Sequence, residues 1–301
     1  MLNESGLKKR AALIQSLRLF FINRGYLEVD TPARLPVLIP EAHNEPVESS
    51  DHFLQTSPEI CMKRLLAEAE CQKIFQICKC YRKDERGDRH LPEFTMLEWY
   101  RTQGDYLSLM DECEDLILEV AQASGHSGSI TFNGAEISLE KPWERLSVSD
   151  AFTQYGPVSA EQALVQNMFD EVLCRYIEPQ LGIKKPVFLY DYPTELGALA
   201  RKKKDDPAVA ERFELYIAGV ELTNGFSELT DAYEQRLRFE QDLKHIRRQG
   251  RPVGLMPEKF LEVLHNMPET AGIALGVDRL AMVLFNKGTI DQVVSFVPEE
   301  L

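Results

Sequence analysis

In the stretch AALIQSLRLFFINRGY, residues 11–26, apolar side chains at 13, 14, 17, 20 and 21 follow helical spacing. Gln15, Arg18 and Asn23 interrupt them, which predicts an amphipathic core helix over 7–24, closed by Gly25 as its C-cap. YLEVDTPARLP then reads as a strand ended by proline, and the Pro-rich residues 35–52 lack periodicity and read as a loop. FLQTSPEICMKRLLAEAE reads as a strand, then Ser57 as N-cap with Pro58 at the first helical position, then a helix. KIFQICKCYRK alternates, with Phe75, Ile77 and Tyr81 on one face and Gln76, Cys78, Cys80 and Arg82 on the other. GDRH supplies a turn region and EFTMLEWY the returning strand, so the two form an antiparallel hairpin with a long charged loop.

The pattern continues with a helix over 105–124, a short hairpin around Asn133-Gly134, a helix starting near Ser147–Asp150 and another over roughly 160–180. PVFLYDYP reads as a buried strand, and LARKKKDDPAVAER as a polar, solvated loop. FELYIAGVELTNGFSEL reads as two strands across a tight Ala218-Gly219 turn. Asp231 and Glu234 form a capping box for a helix over 232–249 that ends at Gly250. A helix near 257–266, the strand AGIALGV and a closing helix from about 278 complete the chain. Hairpins with helices between them predict an α+β fold, a mainly antiparallel sheet flanked by helices. No long linker divides the chain, so residues 1–301 are expected to form one domain.

Composition adds limits. The chain has 301 residues, 44% hydrophobic and 27% charged, which is globular, with no low-complexity tract. A formal net charge of −14 argues against nucleic acid as the main partner, although it leaves room for a local basic site. No apolar run is long enough to span a membrane, and no signal-peptide pattern is present. The six cysteines, at 61, 71, 78, 80, 113 and 174, show neither CxxC pairs nor secretory spacing. A reducing, cytoplasmic location is therefore expected. Cys78 and Cys80 share a strand face; half-buried strand cysteines are the simpler reading, a metal pair the alternative.

Three segments carry candidate chemistry. GYLEVDTPARL is adequately explained as a core strand capped by proline. YRKDERGDRHLPEFTMLEWY gathers basic charge in an acidic protein. It is either a solvated hairpin loop or a seat for an anion: Arg82, with Arg86 and Arg89 nearby, suits phosphate oxygens through forked hydrogen bonds, and Phe94 suits a purine. AGIALGVDRL alternates Gly272, Ala274 and Gly276, which strips one strand face nearly bare before Asp278-Arg279. That face accommodates either a tightly packed helix or a flat ligand.

Together these segments resemble, in order and approximate spacing, motifs 1, 2 and 3 of the class II aminoacyl-tRNA synthetases. QTSPEICMKRLL, PEFTMLEWY and GVELTNGFSEL are similar to the lysyl branch, and the likeness runs from about residue 7 to the C-terminus. The resemblance implies activation of an amino-acid carboxylate at the α-phosphate of ATP, with Mg²⁺. The nucleophile is ionised at neutral pH, so the step needs alignment and charge neutralisation more than a general base. Carried over by motif, Arg82 would hold the α-phosphate, Phe94 would stack on adenine, and Arg279 would cover its other face and reach the γ-phosphate. Lys83, Asp84, Leu222 and Gly276 complete the implied ATP contacts, and Glu214 and Glu221 would hold Mg²⁺. Ser57, Pro58 and Glu59 would line the amino-acid site, with Tyr100, Asn224 and Glu228 around the distal ammonium and Ala274 beside them. By itself, Glu228 also reads as a helix-start acid.

Several positions depart from the lysyl-tRNA synthetase pattern. No anticodon-binding barrel is expected before the first helix, and Ala274 replaces the middle glycine of motif 3. Both features are similar to the elongation factor P lysylation ligases, which implies (R)-β-lysine or lysine as substrate and elongation factor P as acceptor. A homodimer is implied by the same likeness, and tRNA is not expected as a partner. Asp84 stands where glutamate is usual, with Glu85 next to it, and Leu91 stands where asparagine is common. The competing readings are a lysine adenylate passed to another acceptor such as tRNA, and a non-catalytic amino-acid sensor. Retention of Arg82, Glu214, Glu221 and Arg279 speaks against the sensor.

Overall fold

The computed structural model describes residues 1–301 except His43 and Val253. Helix α1 (Glu4–Asn23) is capped by the Asn3 side chain, and Gly25 follows its end at φ 76, a left-handed conformation that glycine adopts without strain. β1 (Leu27–Glu28) comes next. Three short strands follow, β2 (Arg34–Leu35) and β3 (Glu48–Ser49) in or at the edge of the expected loop over 35–52 and β4 (His52–Leu54) where FLQTS predicts a strand, in a small sheet of order β2-β4-β3. The two-residue strands β2 and β3 are too short to show periodicity, which is why no strand is expected at 48–49. Helix α2 (Glu59–Glu68) takes Pro58, not Ser57, as its N-cap, with no side-chain cap. Ser57 is thereby left for other contacts.

β5 (Lys73–Tyr81) and β6 (Glu93–Thr102) form the expected antiparallel hairpin. Helix α3 (Tyr106–Ala123), β7 (Ser129–Phe132), β8 (Ala135–Ser138), β9 (Glu144–Ser147) and α4 (Val148–Tyr155) follow. The helix expected over 160–180 is broken into α5 (Ala160–Val165), α6 (Phe169–Val172), a wide turn over Leu173–Ile177 and a tight one over Glu178–Gln180. Asn167 sits at φ 53 in the first break, and Pro179 cannot donate to a continuing helix. β10 (Val187–Pro193), β11 (Val209–Ile217) and β12 (Val220–Ser227) carry the chain to α7 (Ala232–Arg248). Asp231 caps α7, but the Glu234 side chain pairs with Arg238 and Lys202, so only half of the expected box forms. α8 (Glu258–Leu264), β13 (Thr270–Gly276) and α9 (Val277–Leu284) close the sequence of named elements.

Eight strands make one sheet in the order β1-β5-β6-β13-β12-β11-β10-β9. Its two outermost pairs are parallel and the rest antiparallel, which is the α+β architecture expected. One face packs on α1, α3 and α9 around Phe21, Phe75, Trp99 and Leu275, all essentially inaccessible. Phe21 stacks on Phe75 with ring centroids 4.9 Å apart. The opposite face is covered at one side by α2, α7 and α8, which pack with Ile74 and Tyr100, and carries an open cleft over its middle strands. Among the described residues, no helix is long and apolar enough to cross a membrane.

Candidate active site

Strand register alone builds the floor of a cleft on that open face. Gln76, Glu98, Ala274, Asn224 and Glu214 are paired one to the next across β5, β6, β13, β12 and β11. The adjacent row is Ile74, Tyr100, Gly272, Phe226 and Arg212. Directly paired residues point to the same face and lie about 4.8 Å apart across the sheet. Ala274 is thus flanked by Glu98 and Asn224, and its single methyl leaves space above the sheet between them. A cleft of about 350 Å³ opens there.

Gly272 is required by packing. A Cβ built on it would lie 2.3 Å from Tyr100 Cε1 and 2.5 Å from Glu228 Oε1. Gly272→Ala should therefore displace the Tyr100 ring and lower stability by about 1–3 kcal/mol, the usual cost of overpacking. A thermal melt of the variant unchanged from wild type would contradict this. At Gly276 the nearest contact would be Arg279 at 3.7 Å, so the surface is open there.

One end of the cleft is cationic. Arg82 and Arg279 both line it, from segments far apart in sequence. The Arg82 guanidinium lies 5.1 Å over the Phe94 ring centroid and 3.6 Å from Glu85. Arg279 donates from Nη1 to the Glu221 carbonyl and carboxylate, each at 3.0 Å, and from Nη2 to His90 Nε2 at 2.6 Å. Burial and the Arg279 charge push the His90 pKa down, in keeping with a neutral ring that accepts this bond. Behind them, buried Asp278 pairs with Arg10 at 2.6 Å and accepts from the Thr95 amide, which ties α9 to β6.

The other end is anionic and buried. Lys63 Nζ sits between Glu59 and Glu228, 2.5 Å from Glu228, and 5.0 Å over the Phe226 ring. Tyr100 donates to Glu98 at 2.9 Å. Three carboxylates thus surround one lysine and one phenol, leaving a formal excess of negative charge. Burial pushes the Glu228 pKa up to about 8, opposed by Lys63 and aided by Glu59. Burial, then the Glu59 charge, also raises Glu98 well above the usual carboxylate range. Carboxylates destabilised in this way gain most when a second cation arrives.

Between the ends, Glu214 and Glu221 both line the cleft. Glu214 pairs with Arg212 at 2.6 Å and accepts from Tyr192 and Tyr216 at 2.5 and 2.7 Å. Burial raises its pKa, Arg212 opposes this, and the Glu221 charge adds to it. Two hard carboxylates that repel one another fit a Mg²⁺ ion that also binds phosphate oxygens. Among the described residues, no group of three or more His, Cys, Asp and Glu side chains is arranged to hold a metal. Cys78 and Cys80 do share a face, with sulfurs 3.9 Å apart.

The cleft therefore brings together Ser57, Glu59, Arg82, Phe94, Tyr100, Glu214, Glu221, Leu222, Asn224, Ala274, Gly276 and Arg279. Glu228 is not in its wall; it is buried on the same face of the sheet, where a Cβ on Gly272 would meet its Oε1 at 2.5 Å. Pro58, Lys83 and Asp84 are not in its wall: Pro58 caps α2, and Lys83 turns away to pair with Glu45 at 2.5 Å. Asp84 occupies a left-handed turn at φ 59, and Glu85, the next carboxylate, faces the cleft in its stead. Leu91 contributes apolar wall. Glu98 and Lys63 were not picked out by the sequence reading. Glu98 shares strand parity with Phe94 and Tyr100, and Lys63 lies one helical turn from Glu59, so both signals were present.

Comparison with known proteins is consistent with this geometry. The profile of the family described as tRNA synthetases class II (D, K and N) matches residues 3–300. A Proteus mirabilis protein is 38% identical over 309 residues, covering 97% of this chain and 94% of its own length. A Klebsiella pneumoniae relative is 37% identical with 96% and 94% covered, and an Edwardsiella ictaluri relative 38% with 97% and 94%. Each of the three is named elongation factor P–(R)-β-lysine ligase. The chain belongs to the class II tRNA synthetase family of the D, K and N type, in the group of its elongation factor P–(R)-β-lysine ligase relatives.

Proposed function

We propose that this chain is an ATP-dependent ligase that activates (R)-β-lysine, or lysine, as an adenylate and transfers it to a lysine side chain of elongation factor P. The observation that carries this reading is the polarity of the single cleft. Arginines from two distant segments stand at one end, and three carboxylates gathered around Tyr100 stand at the other. A diamino acid laid along the floor would direct its ammonium groups to the carboxylates and its own carboxylate toward the arginines. In that pose Arg82 holds the α-phosphate, Phe94 stacks on adenine, and Arg279 swings from Glu221 to the phosphates. Leu222 and Gly276 lie against the nucleotide, and Ser57, Glu59, Asn224 and Ala274 bound the amino acid. Glu214 and Glu221 would hold Mg²⁺, which supplies charge neutralisation on the phosphate chain.

The names of the relatives support the choice of acceptor and amino acid. The strands of the main sheet are drawn from residues 27 to 276, which supports one catalytic domain. A homodimer is supported by exposed Leu19, Ile22 and Leu27 on α1 and β1, where the motif 1 segment begins; sedimentation equilibrium tests it. Six free thiols are consistent with a reducing, cytoplasmic setting. The test of function is mass spectrometry of elongation factor P and charging of tRNA^Lys, each after incubation with ATP and either lysine isomer. A lysyl mass increment on elongation factor P alone is expected. Charging of tRNA alone would refute the acceptor.

A further inference from the structure

We propose that Glu41 takes the proton of the acceptor's ammonium in the transfer step, with the acceptor side chain reaching it through an apolar cavity beside the active-site cleft. This rests on the adenylate reading above and concerns its second half. The cavity, about 550 Å³, is walled largely by apolar side chains such as Leu38, Ile39, Val47, Phe53, Leu243 and Ile246. Among the described residues, Glu41 and Asn44 alone line both this cavity and the cleft. Glu41 thus stands where the two spaces meet.

Its surroundings suit the task. The carboxylate accepts from two neutral donors, Thr56 Oγ1 at 3.0 Å and Asn44 Nδ2 at 2.9 Å. No ion pair to it is formed among the described residues. The strap that carries it is pinned by Arg251, which donates to the Ala42 and Asn44 carbonyls at 2.6 and 2.7 Å. Of the charges at the cavity rim, Glu45 pairs with Lys83 at 2.5 Å and with Arg251 at 3.6 Å, and Glu48 is exposed. Burial raises the Glu41 pKa; the nearest charges to act on it are Arg82, which lowers it, and Glu59, which raises it. Those two residues flank the expected reacting carboxylate and amino group. Glu59, Glu98 and Glu228 are engaged with Lys63 and Tyr100, and His90 is held against Arg279, so each has another partner.

A lysine side chain arrives protonated at neutral pH, with a pKa near ~10.4, and cannot attack until it loses that proton. An apolar passage matches its methylene stem, and a carboxylate at the inner end matches its charge. The ammonium passes one proton to Glu41. The nitrogen lone pair then attacks the adenylate carbonyl carbon, the C–N bond forms, and the C–O bond to phosphate breaks to release AMP. The second nitrogen proton leaves to solvent.

The test compares wild type with Glu41→Gln in pyrophosphate exchange and in single-turnover transfer from preformed adenylate. Two acceptors are used: elongation factor P, whose lysine is an ammonium, and hydroxylamine, an amine uncharged at neutral pH. The expected result is a transfer-to-exchange ratio that falls about 10²–10⁴-fold for the protein acceptor, with hydroxamate formation per adenylate retained. The wild-type transfer rate should fall as pH falls through the raised Glu41 pKa, and the variant should lack this limb. An equal ratio in wild type and variant, or a parallel loss with both acceptors, would overturn the assignment. Absence of exchange by the wild type would instead remove the adenylate reading, and this assignment with it.

Discussion

Glu228→Gln is expected to weaken binding of (R)-β-lysine or lysine by about 2–5 kcal/mol, at least ~30-fold in affinity, while ATP affinity is retained. The buried carboxylate lies over Gly272 on the cleft side of the sheet, with Oε2 on Lys63 and Oε1 where a Cβ on the glycine would meet it. Its pKa of about 8 means that at neutral pH much of the population is protonated before substrate arrives. An incoming ammonium needs the ionised form, so binding releases a proton. The sign follows: affinity should rise with pH from about 5 toward 8 and then level off, because above the raised pKa no proton remains to be expelled. The variant should lose this dependence. Titration calorimetry in buffers of different ionisation enthalpy reads both the affinity and the proton count. Since Lys63 would keep only Glu59, the melting temperature should also fall; retained ATP affinity separates a local loss from unfolding. Equal loss of amino-acid and ATP binding would contradict the assigned role.

Arg279→Ala should lower the rate of pyrophosphate exchange by about 10²–10³-fold, the usual cost of removing one preorganised donor to a developing anion. All three of its donating nitrogens are placed by the surroundings: Nη1 by Glu221, Nη2 by His90 and Nε by the Arg89 carbonyl. An ammonium cannot reproduce that fork, so Arg279→Lys should recover little. The side chain sits at the cleft rather than in the core, so stability should change little. Arg82→Ala should behave alike in exchange and additionally loosen Phe94, over which it lies. Wild-type exchange in either variant would remove the phosphate role from that residue.

The fold was legible where periodicity runs long. The hairpin of Lys73–Tyr81 and Glu93–Thr102 follows from alternation, and the pair from Phe213 to Ser227 from two apolar runs across the Ala218-Gly219 turn. β11 starts four residues earlier, at Val209, within the stretch expected as a polar loop. The two-residue strands β2 and β3 carry too few residues for any period, and the 160–180 helix was interrupted by Asn167 and Pro179, whose effects are local. Among site residues, those marked by glycine, arginine or an aromatic ring stood out. Glu98 did not, because a charged residue inside an apolar strand looks like its solvent face until register pairs it with Ala274. Lys63 was hidden for another reason: a helical Glu-x-x-x-Lys pair is ordinarily a surface feature, and only tertiary packing buries this one. Lys83 and Asp84 follow a motif in sequence, but the left-handed turn at Asp84 rotates Glu85 into the cleft.

The claim on which everything turns is that one cleft seats a lysine-class amino acid and ATP end to end, with arginines and buried carboxylates as its two poles. Amino-acid-dependent exchange of pyrophosphate into ATP measures that alignment most directly. Exchange with (R)-β-lysine or lysine, and none with norleucine, which has the apolar stem without the distal ammonium, is the predicted result. Exchange supported equally by norleucine, or by no lysine isomer, would contradict it.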